Sequence, residues 1–390
     1  MHYSSSKLFA ICNNILDYQI LDVVLAGSGG NSRIYKVTTP TKNFALKFYR
    51  EDSGNNNARL IRELNALEFM NLTGDLSCPI LTGHNLLNNC CLTEWIDGEV
   101  LEVFEARHLE EAGAFLKKIH LARTNKSASK IDFGTEVCLS AIDIERQIRS
   151  RIKKLQDSHN DDLKNILENK FNPILNQIIV WVKKEYLNKK WSYESKISNE
   201  KLTLSPVDFG FHNALHTKSD RLIFLDFEYF GWSDPAHLIS DTLLHPGMDL
   251  NDEQKNIFFN SISETYSSDK DFLSRIAILY PLYALRWCAI MLNIFMPSYF
   301  DSFPKKLSNN EKLEMLDMRL DKVNKRLKIA DDSKGTFPFL SSAAGISLPA
   351  CPTLNNFIFY SFFRFLCIVS CDLHFHNHYL LNYSTFLLPE

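Results

Sequence analysis

Asp208, Asn213 and Asp226 are the residues of this chain whose types and spacing could do chemistry together. The stretch SPVDFGFHNAL, residues 205–215, offers an aspartate and, five residues later, an asparagine; the apolar run LIFLDFE then brings a second aspartate. Phosphoryl transfer uses such a set. One carboxylate accepts the proton of an attacking hydroxyl, while an amide oxygen and a second carboxylate hold the metal that neutralises phosphate charge. Magnesium suits these donors, because it prefers one or two carboxylates plus phosphates and water to an all-protein cage. The plain alternative is a surface turn, since D-x-x-x-x-N arises by chance in many chains. The surrounding elements decide between the two.

Between the two motifs, HTKSDRL has hairpin composition, so the local reading is loop, strand, turn, strand, with oxygen-bearing side chains at strand ends. Upstream, residues 20–48 read as β structure. Gly27, Ser28, Gly29 and Gly30 make a glycine-rich turn whose backbone amides can meet phosphate oxygens, although hairpin turns use the same residues. Lys47 lies inside the apolar strand FALKFY, where an unpaired ammonium is costly. Kinases place a lysine there to hold the α- and β-phosphates and pair it with a helix glutamate; an outward-facing strand lysine is the bland reading. The partner is available. NNNARLIRELNALEFMNL has helical periodicity with Leu60, Leu64 and Leu67 on one face, and it offers Glu63 or Glu68. Two short strands follow. The second ends in Glu94, Trp95 and Ile96 and reads as the last strand of a small lobe entering a hinge, where backbone groups could take an adenine ring.

From about residue 99 the pattern turns helical. Arg146, Arg149, Arg151, Lys153 and Lys154 read as a solvated helix face, with an anionic substrate as the lesser alternative. Asp234 before Pro235 reads as a helix cap. The segment LSRIAILYPLYALRWCAIMLNIF is strongly apolar but contains Arg275 and Arg286, so it reads as core helices and not as a membrane span. After residue 330 the charge density drops and phenylalanine becomes common. FIFYSFFRFLCIVSC is short for a span and contains Arg364; a poorly ordered appendage is favoured over membrane contact. His374, His376 and His378 alternate there without the second ligand cluster that zinc would require. A chain cut near residue 330 is therefore expected to stay soluble and to keep nucleotide binding.

Composition bounds the alternatives. The 390 residues can form two lobes, and 43 basic against 46 acidic side chains, net charge -3, give no pull toward nucleic acid. Nine cysteines without a C-x-x-C pair suit buried, reduced thiols in a cytoplasmic protein better than a disulfide framework. The N-terminal residues lack the apolar stretch and cleavage site of a signal peptide.

With these motifs in order, residues 20 to 330 resemble the aminoglycoside phosphotransferase and choline kinase-like family. The family's catalytic stretch usually reads H-G-D-x-x-x-x-N, and here it is PVDFGFHN; its I-D-F-E appears as LDFE, and its G-D-P-A as WSDPA. The resemblance implies an α+β, bilobal, protein-kinase-like fold: a small antiparallel β N-lobe over residues 1–97, a larger, mainly helical C-lobe over 98–330, and an atypical tail over 331–390. It also implies ATP and Mg2+ as cofactors, Asp208 as catalytic base, Asn213 and Asp226 as magnesium ligands, and Lys47 with Glu63 as the phosphate lysine and its partner. Pro206 stands where the family usually has histidine, a residue that mainly supports the loop backbone. Only FEYFGWS separates Asp226 from Asp234, which leaves no room for the long activation segment of protein kinases. The expected acceptor is therefore a small-molecule hydroxyl on a sugar, amino alcohol or aminoglycoside-like compound. Tyr229, Phe230 and Trp232 could cage a choline-type cation or could equally be core packing. The competing reading is a kinase-like nucleotide-binding or regulatory protein without turnover.

Overall fold

The computed structural model describes residues 3–28, 32–50, 57–74, 77–156, 158, 160–296, 298–300, 303 and 307–339. The first unit is an antiparallel sheet of β1 (Asp22–Ser28), β2 (Ser32–Thr38), β3 (Asn43–Tyr49), β4 (Leu81–Asn85) and β5 (Cys90–Glu94), in the order β1-β2-β3-β5-β4. Helix α1 (Ser5–Ile15), unread in the sequence, covers one face. Ser4 caps it by accepting from the Lys7 amide, and Leu8, Ile11 and Cys12 pack on Val37, Phe44 and Leu46. Helix α2 (Ala58–Thr73) lies against the other face through Leu60 and Leu64, beside Tyr49 and Cys91. Alternation along β3 follows from this. Phe44, Leu46 and Phe48 join the α1 side, so Lys47 and Tyr49 point to the α2 side. That period of two aims the strand lysine at the helix.

The second unit is mainly helical. Its strands are β6 (Gly98–Glu99), β7 (Thr203–Ser205), β8 (Ala214–Thr217), β9 (Leu222–Phe224) and β10 (Gly231–Ser233). The β8–β9 pair is the hairpin expected from HTKSDRL, and β10 pairs antiparallel with β7. The helices are α3 (Ala106–Ala122), α4 (Ala141–Gln156), α5 (Asp161–Ile166), α6 (Asn172–Asn188), α7 (Pro235–Leu244), α8 (Asp252–Ser263), α9 (Phe272–Met291) and α10 (Asn309–Asp332). Asp234 does cap α7, its carboxylate accepting from the Ala236 amide at 2.8 Å. Helix α9 with its continuation to Phe295 is long and apolar enough to cross a membrane, yet 89% of that window is buried inside the fold. Among the described residues Cys12, Cys78, Cys90, Cys91, Cys138 and Cys288 are buried free thiols.

The helical unit does not stop at residue 330. Phe337 and Phe339, 4% and 1% exposed, fill a space beside Phe259 and Tyr280, with the Phe337 ring 5.1 Å from Tyr280 and 5.2 Å from Phe259. The boundary expected near residue 330 thus cuts through a packed cluster. The low charge that suggested an appendage is here the apolar closing turn of the core. Residues 340–390, including the histidine triplet, lie outside the described residues. Truncation after Ala330 is expected to destabilise the protein, because a buried phenylalanine removed from a core costs about 3–5 kcal/mol. A chain ending at Phe339 is expected to melt at a higher temperature than one ending at Ala330. Equal melting temperatures for the two truncations would show that the pair contributes nothing.

Candidate active site

Lys47 is where the two units meet. Its ammonium donates to Glu63 Oε2 of α2 at 2.5 Å and to Asp226 Oδ1, just after β9, at 2.7 Å; Glu228 Oε2 lies 3.7 Å away. The residue is 8% exposed. Burial opposes its charge, but the three carboxylates outweigh burial and hold its pKa well above the ordinary lysine value. Tyr49 also donates to Glu63 Oε2, at 2.6 Å, so the glutamate is held from both sides. Glu228 is in turn held by Arg59 of α2, which donates to Oε1 at 2.7 Å and to the Tyr229 hydroxyl at 2.5 Å. Burial, with the Asp226 charge beside it, pushes the Glu228 carboxyl up to about 7. Helix α2 is therefore tied to the LDFE segment directly by Arg59–Glu228 and indirectly through Lys47 of β3, which bridges Glu63 and Asp226.

Asp208 sits on a strained turn. Its amide donates to the Pro206 carbonyl at 3.0 Å, closing a three-residue turn around Val207, whose φ is 68°. A β-branched residue in the left-handed region costs about 1–3 kcal/mol and persists where its surroundings impose it. Two imidazoles face the carboxylate. His212 Nε2 lies 3.2 Å and His245 Nε2 3.3 Å from Asp208 Oδ1, and the two rings stack at 4.2 Å. The tautomer of His245 follows from its other nitrogen. The Gly247 amide can only donate, and it lies 3.1 Å from Nδ1. Burial, with His212 alongside, lowers the His245 pKa to about 4, so the ring is neutral and its one proton sits on Nε2, facing the aspartate. Burial would raise the Asp208 pKa, but the two imidazoles outweigh it and hold the carboxyl below its usual range. Oδ1 is thus clamped, and the second oxygen is the one left to act.

Asn213 completes this loop. Its Nδ2 donates to the Asp208 carbonyl at 3.1 Å, and its own carbonyl accepts from the Leu225 amide at 2.7 Å. With the amide nitrogen engaged, the side-chain oxygen is the atom free for a cation. Asp226 has φ 63°, a conformation aspartate tolerates better than most residues, and its side chain is 36% exposed. One amide oxygen and one partly open carboxylate match the sparse donor set of magnesium, so these residues fit that ion.

One cavity of about 520 Å3 runs through this region. Gly27, Lys47, Glu63, Glu94, Ile96, Asp208, Asn213 and Asp226 are brought together there. Gly27 lies on the strand side of the turn, opposite Ile34, where a register shift marks a bulge. Ser28 ends β1, while Gly29 and Gly30 lie outside the described residues. Of the two glutamates left open in the sequence, Glu63 is buried on the Lys47 side and Glu68 is exposed. Two readings need correction. Arg151 is not on a solvated face: its side chain is 15% exposed, bonded to Glu136, and lines the cavity, because the inner side of α4 turns toward the site. Tyr229, Phe230 and Trp232 form no cage. Phe230 is 1% exposed in the core, Trp232 donates to the Ala128 carbonyl, and only Tyr229 lines the cavity.

Sequence reasoning missed His245, Glu136, Asp241, Arg286 and Trp287, which also line or support this cavity. A signal existed for one of them. Arg286 in an apolar helix requires partners, and it finds Asp241 at 2.8 Å and Gln147 at 2.7 Å.

Residues 22–267 match the family model described as APH: Phosphotransferase enzyme family. No curated protein matches the chain. Among solved structures, a spectinomycin phosphotransferase bound to ADP and spectinomycin is 13% identical with TM-score 0.54, the match covering 86% of this chain and 99% of that one. A choline kinase from Cryptosporidium parvum is 12% identical with TM-score 0.53, over 84% and 97%. A Plasmodium vivax ethanolamine kinase is 14% identical with TM-score 0.51, over 86% and 92%. At such identities the likeness establishes the fold, which is kinase-like, with an antiparallel sheet in one lobe and helices in the other.

Proposed function

This chain belongs to the APH phosphotransferase enzyme family, and from that premise we propose that it transfers the γ-phosphate of ATP to a hydroxyl of a small molecule. The observation that carries the reading is Lys47, which joins Glu63 and Asp226 within the same cavity that holds Asp208 and Asn213. In this reading Lys47 holds the α- and β-phosphates, and Glu63 keeps its ammonium aimed at them. Gly27 and Ser28, with Gly29 and Gly30 after them, present amides to the phosphate oxygens. Backbone groups at Glu94 and Ile96 take the adenine. Asn213 and Asp226 would hold magnesium, which would neutralise charge on the phosphates. Asp208 orients the acceptor hydroxyl. The hydroxyl oxygen bonds to the γ-phosphorus, the bond from phosphorus to the β,γ-bridging oxygen breaks, ADP leaves, and the hydroxyl proton passes to the free oxygen of Asp208. The solved neighbour that carries ADP and spectinomycin supports nucleotide use, and the choline and ethanolamine kinases support a small acceptor. A cytoplasmic location, suggested by the free buried cysteines, belongs to the same proposal.

Mg2+-ATP is expected to raise the melting temperature, because a ligand of the native state stabilises it by about 2.7 kcal/mol at a hundred times its Kd. No shift at millimolar Mg2+-ATP would sink the reading. A shift without ADP formation across a broad set of hydroxyl compounds would favour the alternative, a nucleotide-binding protein without turnover.

A further inference from the structure

Beyond Asp208 the cavity continues between α4, α7 and α9, where Glu136, Arg151, Asp241, Arg286 and Trp287 line it. This wall abuts the proposed base, since the Trp287 ring stands edge-on to His245 at 4.7 Å and His245 faces Asp208. Its charges balance: two carboxylates face two guanidiniums. Arg286 Nη1 holds Asp241 Oδ2 at 2.8 Å, and His237 Nε2 lies 3.1 Å from the same oxygen. Arg286 Nη2 lies 3.5 Å from Glu136 Oε2, which also accepts from Arg151 Nη2. Asp241 Oδ2 and Glu136 Oε2 are therefore each paired with an arginine, while the buried Asp241 Oδ1 has no hydrogen-bond partner.

We propose, resting on the phosphotransfer reading above, that this end of the cavity takes a neutral polyhydroxyl acceptor, a sugar or polyol, and disfavours cationic amines. An ammonium entering here would meet two guanidiniums, and apart from Asp208 each carboxylate of this wall already has its charge paired with one of them, and juxtaposed like charges are penalised. A hydroxyl both donates and accepts, so a polyol can meet carboxylate oxygens and guanidinium N–H groups in turn along the same wall. A quaternary ammonium would instead need several aromatic faces; Trp287 offers one at this end, whereas Tyr229, the one residue of its trio in the cavity, has its hydroxyl engaged and a face of its ring covered by Arg59 at 5.1 Å.

The test measures ADP release with Mg2+-ATP and either neutral acceptors (glucose, ribose, inositol, glycerol) or cationic ones (choline, ethanolamine, kanamycin). The expected result is a kcat/KM at least about tenfold higher for the best neutral acceptor than for any cation, the size of one modest charge penalty. Arg151→Gln removes one positive charge, frees Glu136 and keeps a hydrogen-bonding side chain; it is expected to shift the preference about tenfold toward cations. Faster turnover of a cation by the unaltered protein overturns the substrate class and leaves phosphotransfer standing, as does Mg2+-ATP binding with no neutral acceptor phosphorylated. An unchanged preference in Arg151→Gln, with an unchanged melting temperature, overturns the charge argument. Neither turnover nor a thermal shift with Mg2+-ATP overturns the phosphotransfer reading itself.

Discussion

Asp208→Asn is expected to lower turnover by about a hundred- to ten-thousand-fold, the usual contribution of a positioned base, while Mg2+-ATP binding changes little. The geometry makes this substitution a narrow test. Asparagine has the shape of aspartate, and its oxygen can still face His212 and His245, now 3.2 and 3.3 Å from Asp208 Oδ1. The strained turn at Val207 and the bond from Asn213 to the residue 208 carbonyl involve backbone atoms that the substitution does not alter. What is lost is the second oxygen, replaced by an amide that cannot accept a proton. Turnover and Mg2+-ATP affinity should be measured on the same preparation. An Asp208→Asn protein with full activity would leave the motif as an ordinary turn. A variant that loses nucleotide binding along with turnover would mean that Asp208 shapes the phosphate site.

Lys47→Met is expected to abolish the thermal shift with Mg2+-ATP and to destabilise the free protein by about 3–5 kcal/mol, the cost of leaving one side of a buried ion pair uncompensated. Glu63 is 5% and Glu228 2% exposed, and together with Asp226 they would face each other without the cation between them. Arg59, 2.7 Å from Glu228 Oε1, offsets part of the charge on that carboxylate. The double variant Lys47→Met with Glu63→Met is expected to recover much of the stability and none of the nucleotide binding. Chemical denaturation of the three proteins measures the first effect, and melting with and without Mg2+-ATP the second. A single variant that binds Mg2+-ATP normally would remove Lys47 from the phosphate site. Full stability in that variant would show that the carboxylates find other partners.

Much of the site was legible because it rests on local periodicity. The β3 alternation puts Lys47 on the face opposite Phe44, Leu46 and Phe48, and the α2 stripe of Leu60, Leu64 and Leu67 belongs to the same buried face as Glu63. Even the choice between Glu63 and Glu68 is a matter of helical phase, since Glu68 falls on the exposed side. Other parts were not legible. Helix α1 has a weak start signal in Ser4, but its reason for forming is the open face of a sheet that the sequence had not yet assembled. The run at 331–339 looked like an appendage because phenylalanine content alone cannot distinguish a loose segment from one that closes a core.

What the sequence determined by itself is the order of the chemistry-bearing residues and the strand or loop that carries each: Lys47 in an apolar strand, Asp208 and Asn213 on one loop, Asp226 at the end of a hairpin. Neighbours along the chain constrain these placements, and residue types there have local reasons. Only the tertiary structure decided what surrounds Asp208 and what lines the cavity beyond it. His245 reaches Asp208 from beyond α7, while Arg151 of α4 and Arg286 and Trp287 of α9 line the cavity. In sequence each reads as an ordinary residue of an amphipathic or apolar helix. Their place in the cavity comes from which helix faces meet, and that is set by packing between segments far apart in the chain, 139 residues in the case of Gln147 and Arg286. Local propensity carries no information about such encounters, so the placing of Lys47, Asp208, Asn213 and Asp226 could be read in advance and the cavity wall beyond Asp208 could not.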